Sequence, residues 1–122
     1  MKDENVKTGD VFLAHNKYMY PPKEKFHLCI NKSMYFLINT RPSAFNCVIT
    51  PEDCSFLKYE SYINCGTIRF EPIKDFKIIK KEQLSERAIS ALIKKVICVP
   101  TLLDSQKNII ISDLQKVLEN NK

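Results

Sequence analysis

The hydrophobic period of this chain changes once, near residue 80, and that change constrains the fold more than any single motif. Residues 6–79 carry apolar side chains in short alternating runs, and after Lys81 they recur at helical spacing. In the run 26–31, Phe26, Leu28 and Ile30 fall on one face of a strand, with His27, Cys29 and Asn31 on the other. Met34, Phe36 and Ile38 alternate with Tyr35, Leu37 and Asn39 in the next run. Asn31-Lys32-Ser33 between them is short enough for a hairpin. The pattern predicts strands over 9–13, 26–31, 34–39, 46–49, 61–65, 67–70 and 76–79. Turn signals at Pro42-Ser43, Pro51-Glu52-Asp53, Cys65-Gly66 and Glu71-Pro72 separate these runs. Several short strands at such spacing predict a small antiparallel barrel or a strongly curved sheet.

Past Lys81 the signals are those of helices. Ser85 reads as an N-cap, followed by Glu86 at the positive helix end. Ile89, Leu92, Ile93, Val96 and Ile97 then share one stripe, and Pro100 stops the run. A second helix is predicted over 105–119, with Ile110, Leu114, Val117 and Leu118 on one face. Strands followed by helices make an α+β, β-dominated fold. At 122 residues the chain is expected to be one domain, strand-rich over about 6–80 and helical over about 82–120.

Composition narrows the function classes. Only two glycines argue against a glycine-cradled nucleotide site, and no Ser-His-Asp order or phosphate loop is present. Nineteen basic residues against 14 acidic ones leave a net charge of +5, which favours a polyanionic partner without establishing one. The five cysteines include no CxxC pair and the two histidines are twelve apart, so neither a metal nor another cofactor is expected. Reduced, buried thiols fit a cytoplasmic protein. Residues 1–5 carry charges of both signs and no apolar signal region, and the apolar runs are too short for a bilayer. The expectation is a soluble cytoplasmic protein with no membrane partner.

One stretch, 9–41, gathers the residues that could do chemistry. A loop after the first strand carries Tyr18, Tyr20, Pro21-Pro22 and Lys23; Lys25 opens the second strand, which bears His27; the third runs into Thr40-Arg41-Pro42. Metal-free RNA cleavage needs a base for the 2′-OH, charge stabilisation at the phosphorane, and an acid for the 5′-oxygen. His27 could be that base or acid, since an unperturbed imidazole titrates near 6.5, or simply a half-exposed strand residue. Lys23, Lys25 and Arg41 could hold phosphates. Thr40 could donate to a phosphate oxygen or serve only the turn. Tyr18 and Tyr20 could stack on unpaired bases or fold back over the sheet.

The order of these features carries a resemblance. Gly9-Asp10-Val11-Phe12, a loop, a basic residue opening a strand with Leu28-Cys29-Ile30, and a strand ending in Thr40 come first. Ser61-Tyr62-Ile63-Asn64-Cys65 with Thr67-Ile68 follows, and then Leu84-Ser85 opens a helix. This layout, over most of the chain, resembles the PemK/MazF superfamily of toxin endoribonucleases. The resemblance implies a src-homology-3-like barrel with added helices, a homodimer, and an antitoxin partner that is a small protein or an RNA. It implies cleavage of single-stranded RNA without metal, leaving 2′,3′-cyclic phosphate and 5′-OH ends. It assigns the catalytic centre to Lys25 and Thr40, beneath the loop of Tyr18 and Tyr20. Where that family carries Arg-Pro, this chain has Lys25-Phe26. Arginine offers a phosphate a fixed fork, whereas lysine is a mobile point charge that can lose its proton when desolvated. The alternative is a noncatalytic barrel that binds a protein or nucleic acid, as a regulator or an inactive toxin relative.

Overall fold

In the computed structural model, residues 6–121 are described, and the charged segment 1–5 lies outside them. Strands β1 (Asp10–Asn16), β2 (Lys23–Asn31) and β3 (Met34–Asn39) form an antiparallel meander. β4 (Asn46–Ile49) and β5 (Ser61–Asn64) pair as a hairpin beside β3, and β6 (Lys77–Gln83) pairs with β1. Helices α1 (Glu86–Ile97) and α2 (Asp104–Asn120) complete the α+β fold. The six-stranded sheet runs β4-β5-β3-β2-β1-β6, with β4 and β6 as its two edges, so it is not closed into a barrel.

The predicted alternation places the main core. Leu28, Ile30, Phe36 and Ile38 pack with Ile89, Leu92 and Val96 of α1 and Ile110 and Leu114 of α2. Ser85 caps α1 as expected: its Oγ accepts the Ala88 N–H at 3.1 Å. At the second helix the start is Asp104, one residue before the predicted one, with the Gln106 side chain accepting the Leu103 N–H at 3.0 Å. Gly9 leads into β1 at φ +88°, and a β-carbon there would sit 3.3 Å from Ile89 Cδ1. Glycine is therefore required both by the backbone and by the close approach of α1.

Two predicted strands are corrected. The run 67–70 is no strand: Arg69 makes a single bridge, exchanging backbone hydrogen bonds of 3.0 and 2.9 Å with Tyr35. The chain then crosses the second face of the sheet, through a 3-10 turn at Ile73–Asp75, to reach β6 on the far edge. Ile73 and Phe76 of this strap close over Phe12, Cys29 and Tyr35 as a second, smaller core. β6 also runs past the predicted 79 to Gln83, because Lys80, Lys81, Glu82 and Gln83 pair with Leu13, Phe12, Val11 and Asp10 of β1, and its lysines guard the free edge. Ile79 has no partner in the register, which steps from Lys80 to Ile78 opposite Leu13 and Ala14.

Candidate nucleic-acid interface

The first hairpin is longer than its hydrophobic pattern. His15 pairs with Glu24 and Asn16 with Lys23, so the loop predicted between the strands 9–13 and 26–31 shrinks to residues 17–22. Lys25 is thereby held inside a strand. Its Nζ donates to Asn39 Oδ1 at 2.6 Å, across from it and one step beyond the Phe26–Ile38 pair. Half-burial pushes the Lys25 pKa below the ordinary lysine range, and the neighbouring charge of Lys23 pushes the same way.

Lys25 and Thr40 share a groove of about 480 Å³ at this end of the sheet. Leu13, Phe26 and Ile38 make its apolar floor. The loop between β4 and β5 supplies one wall through Phe56, Leu57, Lys58 and Tyr59, and Lys80 of β6 contributes another cation. Phe56 stacks on Phe26 with centroids 5.6 Å apart, and Lys80 Nζ lies 5.0 Å from the Phe56 centroid. Glu24 is the acidic residue in the lining. A shallower hollow of about 340 Å³ adjoins it, lined by Lys25 and Thr40 together with Arg41, Pro42 and Ser43.

The wall is tied down by polar anchors. The Ser55 N–H donates to Glu82 of β6 at 2.7 Å. Asp53, almost fully buried, accepts from Thr50 N–H at 2.9 Å, Ser85 Oγ at 2.6 Å and Arg87 Nε at 3.1 Å. Burial alone would raise the Asp53 pKa, but the bonds from Arg87, Ser85 and Thr50 hold it below the usual carboxylate range.

His27 is elsewhere. It is 0% exposed, so the alternative of a half-exposed strand residue is corrected. The cause is the strap: Phe76 lies 5.2 Å from the imidazole centroid, and Phe12 stacks on the ring at 4.7 Å. Asn16 Nδ2 donates to His27 Nε2 at 3.0 Å and to the Tyr35 hydroxyl at 3.2 Å. The imidazole proton therefore sits on Nδ1, facing the Phe12 carbonyl at 3.4 Å. Tyr35 in turn donates to Glu71, which pairs with Arg69 at 3.5 Å. Burial lowers the His27 pKa to about 4 against the hydrogen bond to Phe12, helped by the charges of Lys25 and Arg69.

The remaining expected residues divide. Tyr18 folds back: its hydroxyl donates to Asp75 at 3.1 Å and its ring meets Phe76 edge-on at 5.9 Å. Tyr20 is fully exposed, beside a cis peptide bond to Pro21. Lys23 is exposed at the start of β2, and Arg41 is exposed in the shallow hollow. Sequence reasoning missed Asn39, Lys58, Tyr59 and Lys80. The signals were faint: an aromatic beside a lysine at 58–59, and a basic run at 77–81.

Among the described residues no cluster of three or more His, Cys, Asp or Glu side chains is arranged to hold a metal ion. No helix among them is long and apolar enough to cross a membrane. No protein-family model matches the chain, and no characterised protein matches it in sequence.

Proposed function

We propose that the protein is a metal-independent endoribonuclease that cuts single-stranded RNA, with Lys25 and Thr40 as the reacting pair. One observation carries this reading: Lys25, half-buried and held at 2.6 Å by Asn39, lines the same groove as Thr40. A lysine with a lowered pKa has a larger neutral fraction at working pH, so its amine can take the 2′-OH proton. The 2′-oxygen then attacks phosphorus, the bond to the 5′-oxygen breaks, and that oxygen takes a proton from solvent. Thr40 donates its hydroxyl hydrogen to a nonbridging oxygen, and Arg41 in the adjoining hollow supplies charge to the phosphate. The ends are a 2′,3′-cyclic phosphate and a 5′-OH. His27 has no part in this scheme, because both ring nitrogens are engaged and the strap covers its face.

On this reading the open, helix-backed sheet corresponds to the curved src-homology-3-like core of the PemK/MazF superfamily. The protein is then a toxin of a toxin-antitoxin pair, a cytoplasmic homodimer neutralised by a partner protein or RNA. A second reading rests on the seclusion of His27, which leaves Lys25 as the one titratable group among Lys25, Thr40 and His27 for two proton transfers. In that reading the groove binds nucleic acid or protein without cutting.

The experiment is incubation of purified protein with mixed RNA in the presence of a chelator, with sequencing of the ends. Cyclic-phosphate ends that vanish in Lys25→Ala and fall sharply in Thr40→Ala are expected. RNA that is bound but left whole gives the second reading. Cutting that survives both substitutions moves the site elsewhere.

A further inference from the structure

The cleavage scheme uses Lys25 and Thr40, and the side of the groove lined by the β4–β5 loop and Lys80 has no role in it. There the ring of Tyr59 is 59% exposed, although Tyr59 lines the groove. Phe56 already stacks on Phe26 and carries Lys80 over its ring, whereas the Tyr59 ring makes no such ring stacking or cation–π contact among the described residues. Its backbone is fixed, with Ser61 Oγ donating to the Tyr59 carbonyl at 3.1 Å. Lys58, Lys80 and Lys25 line the same groove over the apolar floor. Three lysines against Glu24 make the rim complementary to an anion.

We propose that this side is a subsite for one unpaired RNA base next to the cleaved phosphate: the base stacks on Tyr59, and Lys58 and Lys80 hold the flanking phosphates. The inference rests on the RNA-cleaving reading of the same groove. An apolar floor beneath a cationic rim suits a strand that offers a base face and phosphates together. A duplex keeps its base faces stacked inside and presents only the phosphates. An acidic peptide would use the lysines and leave the ring idle. A tyrosine side chain also has only two torsions to fix when a base settles on its ring.

The test is fluorescence anisotropy on the full chain. The probe is a fluorescein-labelled single-stranded oligoribonucleotide with 2′-O-methyl groups, which cannot be cut. An abasic oligomer of equal length, the matching duplex and a polyglutamate peptide of equal charge serve as comparisons. Tyr59→Ala is expected to weaken binding of the base-bearing strand about tenfold. It should leave the abasic strand unaffected, and Tyr59→Phe should restore affinity. Lys58→Ala and Lys80→Ala should weaken both strands alike, each reducing the slope of log affinity against log salt by about 0.7. If the base-bearing strand binds Tyr59→Ala undiminished, or the abasic strand binds the wild type equally well, the subsite is overturned. Lys25-dependent cleavage would then leave the nuclease reading standing. Polyglutamate or duplex bound as tightly as the single strand overturns the subsite too. Failure to bind or cut any RNA overturns both.

Discussion

Lys25 and His27 are two residues apart on one strand, yet the fold sets them to different work. Lys25 ends near solvent and titrates below its usual range; His27 is sealed and stays neutral. If Lys25 is the base, cleavage should rise with pH and reach its plateau below the pH at which an ordinary lysine would level off. Asn39→Asp places a carboxylate against the ammonium and should move that limb to higher pH, whereas Lys25→Arg should abolish it; a pH–rate profile of each checks this. For His27 the folded pKa of about 4 lies below the unfolded 6.5, so the unfolded chain binds the extra proton between them. Stability is full above about 6.5 and is lost as pH falls towards 4, by about 3 kcal/mol at most. Urea titrations of wild type and His27→Phe across that window should show the loss in the wild type alone. The residue type of His27 was legible in the sequence; its burial was not, because the covering strap lies more than forty positions further along the chain.

At the scale of elements, what was local was readable. Alternation in 26–31 and 34–39 placed Phe36 and Leu28 under the helices, and Ser85 marked the start of α1. What depended on pairing was hidden. Lys80 reaches the groove because β6 joins β1 rather than β5, and no local period encodes that neighbour. The run 67–70 has strand-like residues, but it finds one bridge to Tyr35 and then turns away. The β4–β5 loop has no ladder of its own and depends on Asp53. Asp53→Ala should cost about 2–3 kcal/mol, as charged hydrogen bonds to Ser85 and Arg87 go together. Ser85→Ala, which keeps the carboxylate, should cost about 1 kcal/mol or a little more. Shifted urea midpoints with unchanged slopes would check both.

Across the whole molecule, the strap is the piece that turns an open sheet into a fold with two buried faces. Phe76→Ala opens a cavity beside His27 and should destabilise by about 3–5 kcal/mol. If the variant stays folded, the His27 resonance should titrate nearer 6.5, because desolvation is the main cause of its depression. A titration followed by NMR that still gave about 4 would mean that something other than the strap sets it. The strap also orders events in time. The β1–β2–β3 meander joins neighbours in sequence, but β6 meets β1 only after the rest of the strand-rich half has closed a long loop. During synthesis the meander leaves the ribosome before residues 65–83 do, so Phe12, His27 and Tyr35 form a bare apolar face until they arrive. Chains halted before the strap are therefore the ones expected to stick to one another, and weakening the strap would shorten the life of the native state more than it slowed its formation.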